Sequence, residues 1–248
     1  MSPREEKPGV ESARARLRDL TARLLAGRGR QTLPDPTSAQ AAADRALLIV
    51  DVQNDFVTGA LPVSGAARIV PVLNRYLQLF ADGDFPIYLA RDWHPPEGQH
   101  RTRGGDPSPS HCVRGTFGAA FPAELRVPVG SIVISKGTTP GEQGYSAFSG
   151  HHPGPVSLRA SLESRRVRTV YVAGLGPGVL ATVLDGCQLG FDTVLLIDAV
   201  RGIDGTSARL RRAIDGMCRA GARIEEFGDV EREIVTANQT ASDASSLP

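Results

Sequence analysis

TVYVAGLGPGVLATVLDGCQLGFDTVLLIDA, residues 169–199, decides the fold. Two short apolar runs, TVYVAG (169–174) and TVLLIDA (193–199), flank a segment from about 178 to 189 that reads as a helix. An apolar run without polar alternation is the pattern of a strand buried on both faces. Two such runs joined through a helix form a βαβ unit with parallel strands. The pattern recurs outward. Upstream lie ALLIVD (46–51), a helical period over 67–83, PIYLARD (86–92), SIVIS (131–135) and a helix near 156–165. Downstream come a helix near 206–220 and a last strand-like stretch, ARIEEF (222–227). The alternation predicts an α/β fold, a mostly parallel sheet covered by helices on both faces.

The flanks differ. In ESARARLRDLTARLLA (11–26), Leu17, Leu20, Leu24 and Leu25 form one stripe of an amphipathic helix with arginines opposite. Such a helix docks on the main domain or on a second copy, which leaves a homo-oligomer open; a basic anchor for a partner is the rival reading. GRGRQTLPDPTS (27–38) reads as a linker. The expected organisation is a helical extension and linker over 1–44, an α/β domain over 45–232 and a disordered tail over 233–248. TANQTASDASSLP (236–248) has no apolar periodicity.

Composition excludes several classes of function. The 248 residues carry 28 Lys+Arg against 27 Asp+Glu, so no net charge draws the chain to nucleic acid or an anionic membrane. No apolar run approaches the roughly 20 residues of a membrane span, and no secretory signal is expected. Three Cys without a CxxC suit a reducing cytoplasm. Lys7 and Lys136 are the only lysines among the basic residues. A lysine in the middle of an arginine-rich chain invites a specific reason, since a buried Lys can lower its pKa whereas Arg holds its proton.

In parallel sheets, functional groups gather beyond the carboxyl ends of the strands. Asp51, Asp92, Lys136 and the Gly174–Gly178 turn all fall there. The stretch 93–130, rich in Gly, Pro and Ser, reads as a binding loop. Asp92, His94, His100 and His111 place one carboxylate and three imidazoles around it, a donor set suited to zinc, iron or manganese. Unrelated polar loop residues are the alternative. In VDVQNDF (50–56), Asp51 can act as general acid or base once partly buried, or as a simple turn residue. Lys136 follows a strand directly and offers a cation to an oxyanion or a nucleophile.

Together, VDVQNDF, RDWHPPEGQH (91–100), SHCVRGTFGAAF (110–121), SKGTTPGEQGYSAF (135–148) and ATVLDGCQLGFDTVLLIDAVRG (181–202) resemble the nicotinamidases of the isochorismatase-like hydrolase superfamily. The resemblance covers about 45–205. It implies a parallel six-stranded sheet flanked by helices. It also implies a reaction, nicotinamide to nicotinate plus ammonia through a thioester on a cysteine. Asp51 matches the family's proton-transferring Asp and Lys136 its catalytic Lys. Asp92, His94, His100 and His111 match its ligands for one divalent metal ion. Phe56 and Tyr145 match residues lining a pocket for a small planar amide.

The chain departs from the family at the nucleophile. The family turn reads roughly G-[LV]-A-T-D-x-C-V; here it reads Gly174-Leu175-Gly176-Pro177-Gly178-Val179-Leu180. Aligning the following helix puts Gly178 at the cysteine position, in a turn two residues short. Aligning from Gly174 puts Leu180 there. Cys187 lies nine residues on, about 13 Å along the helix and on its opposite face. Cys112 stands beside His111, and Cys218 reads as a small buried hydrophobe. Pro177 has no N–H for an oxyanion hole, and Ser108 replaces a family Trp that walls the substrate. The expected activity is therefore altered or lost. The alternatives are a non-catalytic metal- and ligand-binding protein, or vinyl-ether cleavage of the isochorismatase type with Asp51 as acid.

Overall fold

A computed structural model describes residues 44–96, 109–139, 142, 144–152, 154, 156–203 and 207–245. The extension and linker expected over 1–44 lie outside the described residues apart from Asp44. Six strands follow the expected alternation: β1 (Arg45–Val50), β2 (Ile87–Asp92), β3 (Ile132–Lys136), β4 (Thr169–Leu175), β5 (Asp192–Arg201) and β6 (Arg223–Glu225). The helices are α1 (Asn54–Val57), α2 (Val70–Asp82), α3 (Leu158–Ser164), α4 (Pro177–Gln188), α5 (Ser207–Arg219) and α6 (Phe227–Ser245). The strands form one sheet in the order β3-β2-β1-β4-β5-β6, every neighbouring pair parallel.

The apolar runs are continuous because successive residues serve opposite helix layers. Leu47, Ile49, Leu89, Tyr171, Ala173, Val194 and Leu196 pack with Leu73, Tyr76, Leu77 and Phe80 of α2 and Phe227, Val230 and Ile234 of α6. Ala46, Leu48, Val50, Tyr88, Ala90, Ile134, Val170, Val172 and Leu195 pack on the other face with Leu158 and Leu162 of α3, Val179 and Val183 of α4 and Met217 of α5. No helix among the described residues is long and apolar enough to cross a membrane.

Two expectations are corrected. The tail expected to be disordered from 233 is helical through Ser245. Phe227, Val230 and Ile234 fall on one stripe of α6 and are buried, and Glu233 accepts from Tyr171 Oη at 2.9 Å, so packing extends past the expected boundary. Cys218, expected to be buried, is exposed; its neighbour Met217 takes the core position on α5.

The strand order reverses between β1 and β4, which opens a crevice beyond their carboxyl ends. The two strands meet closely there. Gly174 is paired with Val50 at φ +128°, and a Cβ on it would overlap the Val50 carbonyl. Only glycine fits.

Candidate active site and metal centre

The side chains at the ends of β1, β2 and β3 meet beside the first turn of α4. Asp51 follows β1 in a left-handed conformation, φ +58°, sparsely populated for any residue with a Cβ. Lys136, the last residue of β3, is 2% exposed. Its Nζ lies 3.0 Å from Asp51 Oδ2 and 2.5 Å from Asp92 Oδ1. Asp92 and Lys136 are register partners across β2 and β3, which puts them on the same face.

Two carboxyl groups share one ammonium in this cluster. Burial raises the pKa of Asp51 to about 7, although the Lys136 charge pulls the other way. Burial alone would lower the Lys136 pKa, but Asp51 and Asp92 outweigh it and hold the ammonium above its ordinary value. The structure thus corrects the idea that burial frees the Lys136 proton: this lysine is a fixed cation. Asp51 Oδ1 is buried and has no hydrogen-bond partner among the described residues.

Facing Asp51 is Gly178, the second residue of α4. It is buried, and a Cβ there would stand 2.5 Å from Asp51 Oδ2, 3.0 Å from the Tyr145 carbonyl oxygen and 3.2 Å from Val50 Cγ1. Gly176 N–H donates to the Arg201 carbonyl at 2.8 Å, Pro177 has none, and Val179 N–H reaches back to Gly176 at 3.3 Å. Thr182 ties this turn to the 145–148 segment, donating to the Gly178 carbonyl at 2.7 Å and accepting from Ala147 N–H at 2.9 Å.

Asp92, His94 and His111 each offer one ligand atom, all within 4.8 Å of one another. His94 lies against Gly137: a Cβ on that glycine would meet His94 Cε1 at 2.5 Å. The Gly137 carbonyl, 3.0 Å from His94 Nδ1, orients the ring so that Nε2 turns toward Asp92 Oδ2, 3.8 Å away. His111 is oriented likewise through Nδ1, 2.7 Å from the Pro109 carbonyl. Burial lowers the His94 pKa, toward the neutral form a metal needs. One carboxylate and two imidazoles held this way fit a divalent ion. His100 and Ser108 lie outside the described residues. Phe56 borders this corner, its ring 5.4 Å from that of His111.

Sequence reasoning missed the residues that assemble the corner. Gln53, fully buried, bonds both backbone groups of Asp92 and also the Ala119 carbonyl. Asn54 Nδ2 donates to the Phe117 carbonyl at 2.8 Å. Asp55 accepts from Cys112 N–H at 2.7 Å and from Ala60 N–H at 3.0 Å, so it anchors the His111 loop. Two consecutive amides directly after a buried strand were the available signal, since buried amides need partners on every side.

An open, all-parallel sheet with a carboxylate–lysine–carboxylate cluster beyond its strand ends defines the candidate catalytic crevice of an α/β protein. The chain belongs to the isochorismatase family: the Isochorismatase domain matches residues 45–225. Within it the chain falls in the nicotinamidase branch. It is 36% identical over 174 residues to the nicotinamidase/pyrazinamidase of Mycobacterium tuberculosis, covering 67% of this chain and 92% of that protein. It is 31% identical over 199 residues to the nicotinamidase of Acinetobacter baylyi, covering 72% and 90%. The solved pyrazinamidase of Pyrococcus horikoshii in complex with zinc superposes with a TM-score of 0.66 at 37% identity, covering 74% of this chain and 99% of that one.

Proposed function

We propose that this chain binds a small planar amide, nicotinamide or a close relative, beside one divalent metal ion, and that it does not run the family's thioester hydrolysis. Gly178 is read as standing at the nucleophile position. The observation that carries this reading is the 2.5 Å separation between Asp51 Oδ2 and the place of a Cβ on 178. The carboxylate occupies the space through which a nucleophilic side chain would pass. Gly176 N–H is taken by the Arg201 carbonyl and Pro177 has none, which supports the same reading, since an oxyanion hole needs N–H groups converging on one point. Cys112 offers no substitute: burial pushes its thiol pKa up, and its backbone is locked by Asp55.

Asp92, His94 and His111, with His100 as the expected further ligand, would hold the metal. When bound, such an ion polarises a carbonyl or a pyridine nitrogen. Phe56 and Tyr145 are proposed to line the amide pocket, with Asp51 Oδ1 accepting from the amide N–H and Lys136 fixing the carboxylate from the other side. The Pyrococcus pyrazinamidase was solved with zinc; zinc is therefore the first ion to test. Three Cys without a CxxC support a cytoplasmic location.

Calorimetric titration of nicotinamide into zinc-loaded protein tests this function. Saturable binding is expected, lost in Asp51→Ala. No binding to folded, metal-loaded protein would contradict it.

A further inference from the structure

We propose that Gln53, which is not a metal ligand, is the positioning residue that sets the Asp92 carboxylate in place for the metal. The inference rests on the metal reading above and goes beyond it by naming what builds the site.

Asp92 is the last residue of β2, where the strand ladder runs out, and Trp93 N–H turns to the Lys136 carbonyl at 2.9 Å. Lys136 holds the Asp92 carboxylate through Oδ1, so the aim of Oδ2 depends on how firmly the backbone of Asp92 is fixed. The Gln53 amide holds it from both sides. Oε1 accepts from Asp92 N–H at 2.8 Å, and Nε2 donates to the Asp92 carbonyl at 2.8 Å. The second N–H of Nε2 donates to the Ala119 carbonyl at 2.9 Å, which ties Asp92 to the loop that carries His111. Gln53 is fully buried, and its own N–H donates to the Asp51 carbonyl at 2.9 Å. One side chain therefore spans three segments: the β1 exit with Asp51, the β2 exit with Asp92 and His94, and the 109–121 loop with His111.

All of its amide hydrogen-bonding directions but one acceptor lone pair are used, which no smaller or charged side chain can reproduce. A residue acting through a ligand in this way typically changes metal affinity 10–100-fold when it is replaced. A role confined to stability would lower the folding free energy and leave the affinity of the folded protein alone.

The test measures zinc affinity by competition with a chromogenic chelator, alongside thermal melting of the metal-free protein, for full-length wild type, Gln53→Met, Gln53→Glu and Tyr76→Phe. Tyr76→Phe removes a part-buried hydrogen bond from α2 to Asp198 of β5 and serves as the stability control. Zinc affinity is expected to fall about tenfold or more in Gln53→Met. It falls by less in Gln53→Glu, which keeps the acceptor for Asp92 N–H and loses donors. Tyr76→Phe lowers the melting temperature with zinc affinity unchanged. Should Gln53→Met not fold, Gln53→Glu carries the comparison. Wild-type affinity in a folded Gln53 variant, or an equal loss in Tyr76→Phe, overturns the inference with the metal reading intact. Wild-type protein that takes up no zinc overturns both.

Discussion

Position 178 holds a hydrogen atom where Asp51 leaves no room for more. Gly178→Ala would place a methyl 2.5 Å from Asp51 Oδ2. Overpacking of this kind costs about 1–3 kcal/mol, to be read from urea unfolding; unchanged stability would show that the carboxylate moves aside freely. Gly178→Cys is expected to carry the same cost without gaining hydrolysis, since the short turn remains and Pro177 still offers no N–H. The partner lysine is the opposite case. Lys136→Met leaves the buried Asp51 carboxylate without its cation, and breaking a buried ion pair from one side costs about 3–5 kcal/mol. Titration follows from the same geometry. Burial raises the Asp51 pKa to about 7 and the Lys136 charge restrains it. In metal-free protein, carbon-detected NMR should therefore show its carboxyl losing the proton near pH 7. Lys136→Met should move that midpoint further up, because the restraining charge is gone. A midpoint in the ordinary carboxylate range would contradict the burial argument. Lys136 was legible in the sequence because arginine fills nearly every other basic position. Gln53 was not: its role depends on three backbone partners from segments far apart in the chain.

Among the elements, the strands were legible because burial on both faces writes an apolar run, as in ALLIV and TVYVA. Helix α6 was misread at its far end. Its apolar stripe, Phe227, Val230 and Ile234, straddles the expected boundary, and its later turns are polar, which resembles a tail by composition. The packing argues otherwise. Glu233 accepts from Tyr171 Oη and pairs with Arg45 at 3.4 Å, and Ile234 is 2% exposed. Ile234→Ala should therefore cost about 2–5 kcal/mol, the range for truncating a buried Ile. A loss near zero in chemical denaturation would return residues from 233 onward to a dispensable tail.

For the molecule as a whole, the switch point between β1 and β4 joins what the sequence could only set in order. Asp51, Asp92 and Lys136 were readable as strand-end residues, and their convergence follows from a parallel sheet in the order β3-β2-β1-β4-β5-β6. Aligning the helix that follows the shortened turn pointed to Gly178 and aligning from Gly174 to Leu180; the entry of α4 into the crevice presents Gly178 to Asp51. The metal corner makes a separate expectation. Protein grown with zinc, iron and manganese available should hold about one divalent ion per chain, released in the double variant His94→Ala, His111→Ala, with elemental analysis as the check. Loss of the covalent route from this nicotinamidase-type fold, as proposed, is decided by release of ammonia and nicotinate from nicotinamide by metal-loaded native protein. No turnover above the rate without protein is expected; turnover on the order of 1 s⁻¹ or more, within the usual enzyme range, would show that the route is intact.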